Sequence, residues 1–216
     1  PYCVKAMCLL QMSGQEWQPE YLHDPRKMPL SRLPVLRAGT ELIPDSASIQ
    51  MYLENKGVDF NKGLSADQKA QSHALIQMCE AGLYNILVHD RWLVDESWEH
   101  TRAEFFKTIP WLIRGSLTRQ LRKGVRAKMI AQGTAQFSED ERAARMMLDL
   151  NALSTQLGDQ AFLFGAKPTA ADAAIAPVLD MIINLPVKTG ARELLKGWEG
   201  LPAYVARVRD AAYPKL

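Results

Sequence analysis

Residues 28–49 read MPLSRLPVLRAGTELIPDSASI, and the fold follows from how this stretch is divided. The apolar runs Leu33-Pro34-Val35-Leu36 and Leu42-Ile43 flank a turn at Ala38-Gly39, so Leu33 to Ile43 predicts a hairpin with strands on both sides of Arg37–Thr40. A strand opening on a proline is read first as an edge strand, because proline has no N–H to give a ladder. Asp45-Ser46 stands where a helix N-cap belongs, ahead of Ile49, Met51, Tyr52 and Leu53, and predicts a helix over Ser46–Glu54. Capping and ligand binding are compatible at such a position. Upstream, Val4, Met7 and Cys8 fall on one helical face within Val4–Met12, which stops at Ser13-Gly14. Trp17–Leu22 alternates loosely and reads as a short strand, followed by a loop containing Pro25 and Pro29.

Downstream the grammar changes. Asn55–Leu64 (NKGVDFNKGL) carries two glycines and no periodicity, and reads as a linker. Ser65 with Gln68 forms a capping box that opens a helix through about His89, Ser138 with Glu141 opens one through about Leu157, and Thr169 with Asp172 precedes Ala173–Ile183. Pro110, Pro177, Pro186 and Pro202 punctuate this half. The whole chain has 216 residues, 47% hydrophobic and 23% charged, with a formal net charge of +2. That balance excludes a disordered or collagen-like chain. It also predicts no global attraction to nucleic acid, and the longest apolar stretches, such as Leu83–Val88, are far short of the ~20 residues of a membrane span. Cys3, Cys8 and Cys79 are too few and too unevenly spaced for a disulfide framework or a zinc site, so they read as thiols of a reducing compartment. His23, His73, His89 and His100 have no metal-ligand spacing.

Three segments carry a resemblance. Met28 to Leu36 resembles the N-P-x-x-K-[VI]-P-x-L stretch of glutathione transferases. Asp45-Ser46-Ala47-Ser48-Ile49 is similar to their [EQD]-S-x-x-I motif, and Phe162-Leu163-Phe164-Gly165 through Asp172 to their [FY]-L-x-G-x-x-x-[ST]-x-A-D signature. The three occur in family order and spacing across nearly the whole chain. Arg91-Trp92 to Trp98, with the basic stretch after Pro110, looks closer to the metaxin and failed-axon-connections branch. The resemblance implies an α+β thioredoxin-like N-terminal domain over residues 1–56, its first strand upstream of residue 1, and an all-α helical domain over residues 65–216. It implies that Leu33 offers its backbone N–H and C=O to the cysteinyl unit of glutathione, by strand addition before a cis Pro34. Asp45 would accept from the γ-glutamyl ammonium, Ser46 would donate to the adjoining carboxylate, and Arg32, or else Lys27, would meet the glycyl carboxylate.

In this superfamily the thiol is activated at the start of the first helix, immediately before a proline that Pro1 resembles; that position precedes the sequence. Cys3 is the nearest thiol, placed where a helix dipole and Lys5 are expected to lower its pKa; it reads either as a catalytic or resolving cysteine or as a small half-buried hydrophobe. Cys8 and Cys79 read as core, and Tyr2 as a packing residue or a donor to a bound thiol. Trp92, Trp98, Trp111 and Phe105-Phe106 are core candidates, some of which would line a hydrophobic pocket. Lys107 to Ser138 holds seven Lys or Arg and no Asp or Glu, which reads as a solvated face or as an attractor of an anionic substrate, acidic partner or membrane surface. The expected activity is attack of a glutathione thiolate on a small hydrophobic electrophile in an interdomain cleft, by a cytoplasmic homodimer without metal or bound cofactor, glutathione being a substrate. The alternatives are a glutathione-dependent thiol-disulfide oxidoreductase using Cys3, and a non-catalytic binding or assembly module.

Overall fold

The computed structural model describes residues 1–22 and 24–214, so His23 lies outside the described residues. Helix α1 (Tyr2–Ser13) buries Cys8 and Leu9 and ends as expected, at Gly14 in the left-handed conformation (φ 69°) with its N–H on the Gln11 carbonyl. Residues 17–22 form no strand, contrary to the expectation from their alternation. Gln18, Glu20 and Tyr21 are exposed, Pro19 lacks a donor, and no strand among the described residues lies beside them to pair with. Two short 3-10 turns, Pro25–Lys27 and Pro29–Ser31, lead into the predicted hairpin. Its strands β1 (Val35–Ala38) and β2 (Glu41–Pro44) pair antiparallel, with Val35 opposite Pro44 and Ala38 opposite Glu41. Gly39 takes φ +63° in the two-residue loop, where such connections favour glycine. Helix α2 (Ser46–Asn55) then buries Ile49 and Leu53.

The remainder is helical: α3 (Ala66–Ala81), α4 (Leu83–Trp92), α5 (Asp95–Phe105), α6 (Trp111–Ala131), α7 (Glu139–Leu157), α8 (Ala170–Ile183), α9 (Gly190–Lys196) and α10 (Leu201–Ala212). Two capping boxes form reciprocally. Ser65 and Gln68 exchange bonds of 2.9 and 3.2 Å, and Ser138 and Glu141 bonds of 2.7 and 3.2 Å. The helix expected to run unbroken through His89 is two helices, divided at Gly82. A Cβ there would stand 2.3 Å from Asp149 Oδ2 and 2.9 Å from the Met78 carbonyl oxygen, so only glycine permits this approach. Pro177 is not a stop but lies inside α8.

Two compact units emerge, each assembled from separate segments. One comprises residues 1–76, 156–177 and 203 onward; the other comprises 77–155 and 178–202. The first buries Leu9, Ile49, Leu53, Leu163, Ile175 and Tyr204. The second buries Leu83, Leu87, Met129, Met146, Leu150 and Leu153. Both lists are dominated by large aliphatic side chains, each stabilising by about 1.5–3 kcal/mol when removed from water. Helix α-turn-strand order therefore gives the expected α+β N-terminal part followed by helices.

Candidate glutathione site

The bond between Leu33 and Pro34 is cis, as the resemblance implies. Among the described residues neither the N–H nor the C=O of Leu33 is hydrogen-bonded, so both backbone groups remain available to an extended ligand. The Pro34 carbonyl accepts from Asp45 N–H at 3.0 Å, which ties the cis-proline loop to the start of α2. Leu33, Pro34, Asp45 and Ser46 are thus brought to one place by the hairpin, with β1 leaving the site and β2 returning to it.

Asp45 has φ +74° and ψ 139°, a backbone conformation that costs a non-glycine residue about 1–3 kcal/mol. One carboxylate oxygen accepts from Ala47 N–H at 2.8 Å and caps α2; the other has no partner among the described residues. Ser46 is buried, yet its hydroxyl makes no hydrogen bond among the described residues. An acceptor, a donor and a helix N-terminus thus stand together without internal satisfaction, a combination suited to an ammonium next to a carboxylate. Arg32 precedes Leu33, exposed and without an ion pair among the described residues; Lys27 is exposed as well. Leu30 and Ser31 both take positive φ, 58° and 51°, so the approach to the cis bond is strained over two successive residues.

The signature around Asp172 is structural, as its sequence reading holds. Asp172 is completely buried and accepts from Leu163 N–H (3.0 Å), Thr169 N–H (2.7 Å), Thr169 hydroxyl (2.8 Å) and Tyr204 hydroxyl (2.9 Å). Burial raises its pKa, and the four donors oppose that rise. Tyr204 is a partner that sequence inspection missed, because it lies 32 residues beyond Asp172 with no local motif of its own.

Cys3 departs from expectation. Partial desolvation pushes its thiol above the ordinary value, and the hydrogen bond with its own backbone N–H offsets this only in part. Lys5, expected to add positive charge beside Cys3, is buried. Cys8 and Cys79 are core residues, and burial raises the Cys8 thiol to about 12.

In the second unit, Trp92 stacks on Trp98 at 5.3 Å between ring centroids, with Phe106 edge-on to Trp92 at 6.3 Å. Trp111 and Phe105 do not join that cluster and are exposed, correcting their reading as core. The basic stretch divides in two. Arg122 donates to the carbonyls of Trp92 and Leu93 at 2.8 and 3.0 Å, pairs with Asp95 at 2.6 Å and lies over Trp98. Arg114 folds onto the carbonyls of Lys107 and Ile109, and Lys107 pairs with Glu104. Arg119, Lys123, Arg126 and Lys128 are exposed and have no partner among the described residues.

A family model described as the glutathione S-transferase N-terminal domain matches residues 1–98, and one described as the glutathione S-transferase C-terminal domain matches residues 146–208. The chain belongs to the glutathione transferase superfamily. It is 29% identical to an isoprene-epoxide–glutathione S-transferase of Rhodococcus sp. (strain AD45), over 97% of this chain and 91% of that protein. It is 26% identical to metaxin-1 of Macaca fascicularis, covering 94% of this chain and 67% of that one, and 26% identical to human metaxin-2, covering 84% and 70%. Its place is therefore near the metaxin branch of the superfamily, with the thioredoxin-like plus helical fold that the motifs implied. No solved structure is a significant match.

Proposed function

We propose that this protein binds glutathione at Leu33, Pro34, Asp45 and Ser46, with Arg32 toward the glycyl carboxylate, and transfers its thiolate to a small hydrophobic electrophile. The observation that carries the reading is the unpaired Leu33 backbone before the cis bond, held beside Asp45-Ser46 by the Asp45–Pro34 hydrogen bond. Strand addition at Leu33 fixes the cysteinyl unit, while the free Asp45 oxygen and the Ser46 hydroxyl fix the γ-glutamyl end. With both ends held, the thiol is positioned at little further entropic cost. Among the described residues no side chain caps α1, and the positive end of its dipole favours a thiolate placed there. The raised Cys3 thiol gives no support to an oxidoreductase in which Cys3 is the nucleophile.

The relative named for isoprene epoxide suggests the electrophile: a small alkene epoxide. The sulfur would attack a ring carbon, the C–S bond forming as the C–O bond breaks, and the ring oxygen would leave as an alkoxide that takes a proton from solvent. This reading carries a homodimer, as the resemblance implies, and a cytoplasmic setting, with which three free thiols are in keeping. Turnover is tested by following glutathione consumption with a small alkene epoxide, using wild type and the Asp45→Gly variant. The expected result is enzyme-dependent consumption that the variant lacks; consumption equal in both would remove Asp45 from the site, and none in either would leave a glutathione-binding module.

A further inference from the structure

Helix α6 extends over 21 residues, about 30 Å, and carries more unpartnered charge and exposed apolar surface than its burial needs. Its inward side is narrow: Thr118 and Met129 are its buried residues. Leu112, Arg119, Lys123, Arg126 and Ile130 follow at spacings that keep them on one outward face, three cations between two apolar side chains. At the N-terminal end the exposed surface is bulky. Trp111 is 78% exposed, Leu112 73%, Ile113 53%, and Phe105 at the end of α5 is 66% exposed. Single exposed apolar residues are ordinary, but four in nine positions around one connection are not. Arg114 holds that connection by its bonds to the carbonyls of Lys107 and Ile109, so the apolar tips are presented from an ordered segment.

We propose that this face of α6, with the Phe105–Ile113 tip, docks on an anionic lipid bilayer surface. Three observations select that occupant. No Asp or Glu occurs between Lys107 and Ser138, so Arg119, Lys123 and Arg126 have no acidic neighbour on their own helix and are offered to anionic headgroups. Trp111, Leu112 and Phe105 are the residue types that enter the headgroup–acyl boundary, with long cationic side chains reaching the phosphates beside them. The two grooves of about 300 and 490 Å³ in this unit are lined by other segments, while the α6 residues named above stand exposed along a single helix face, a ridge that suits a planar surface. No helix among the described residues is long and apolar enough to cross a membrane, and the contact proposed for α6 is surface adsorption.

Co-sedimentation of the full chain with vesicles tests this, comparing pure phosphatidylcholine with a phosphatidylcholine–phosphatidylserine mixture. Binding is expected to the mixed vesicles alone, weakening as ionic strength rises from about 0.1 to about 0.5 M. The combined variant Arg119→Ser, Lys123→Ser, Arg126→Ser is expected to lose on the order of a hundredfold in partitioning. Trp111→Ser with Leu112→Ser is expected to lose the blue shift of tryptophan emission on binding. All five positions are exposed, so unchanged melting curves verify folding of both variants. Binding to neutral vesicles to the same extent, absence of binding to the mixture, or full binding by the cation variant would each overturn the proposal. Soluble polyglutamate captured through the same three cations, with vesicles ignored, would assign the face to an acidic polypeptide instead and equally overturn it.

Discussion

Two aspartates at helix starts, Asp45 and Asp172, have opposite environments. Asp172 is sealed from solvent and its carboxylate takes four donors, leaving nothing to offer a ligand. Asp45 is partly exposed, holds a strained backbone and spends one oxygen on Ala47 N–H. A saturated carboxylate is a structural device, since every interaction it makes is internal to the fold. A carboxylate kept half-satisfied in a costly conformation is one whose remaining capacity belongs to something else.

The largest effect should come from Asp172. Asp172→Ala removes four hydrogen bonds and leaves buried donors unpaired, and should destabilise by about 3–5 kcal/mol in urea unfolding. A loss below about 1 kcal/mol would erase the contrast between the two aspartates. Its pH signature has a definite sign. Because burial raises the folded pKa above the unfolded one, the stability contributed by the protonated form is full below the ordinary carboxylate value and is lost as pH rises through the raised value. Wild type should therefore lose stability across that window relative to Asp172→Asn, which titrates no proton there.

Next in size is the break between α3 and α4. Gly82→Ala drives a methyl group onto Asp149 and the Met78 carbonyl, and should cost about 1–3 kcal/mol. Adding Asp149→Ala should recover part of that loss, whereas additive losses would show the two positions to be uncoupled.

Asp45 should behave in the reverse manner to Asp172. Asp45→Gly relieves the positive φ while losing the cap, so stability should change by no more than about 1 kcal/mol. Glutathione affinity should nonetheless fall at least tenfold, about 1.4 kcal/mol. The smallest effect is expected at Cys3. Its raised pKa means less thiolate at neutral pH, so alkylation by iodoacetamide should be slower than that of a free cysteine and should accelerate with a midpoint above the ordinary thiol value. A midpoint below it would restore Cys3 as a candidate nucleophile.

Much of this contrast was legible in the chain. The hairpin over Leu33–Ile43 and the two reciprocal capping boxes follow from local chemistry at fixed spacing, which sequence displays directly. The cis bond and the Asp45-Ser46 position came from motif resemblance. What escaped was non-local. Tyr204 reaches Asp172 across 32 residues, Arg122 joins the end of α4 across 30, and Asp149 dictates glycine at position 82 from another helix. Trp17–Leu22 failed for the complementary reason: loose alternation predicts a strand, but a strand also needs a neighbour and donors, and Pro19 supplies neither.

The most direct test of the account is calorimetric titration of glutathione into wild type and into the Ser46→Ala variant carrying Asp45→Gly. Wild type should give saturable heat with a dissociation constant between about 1 μM and 1 mM, and the variant none at matched stability. Absence of heat with the folded wild-type protein, or equal affinity in both, would contradict it.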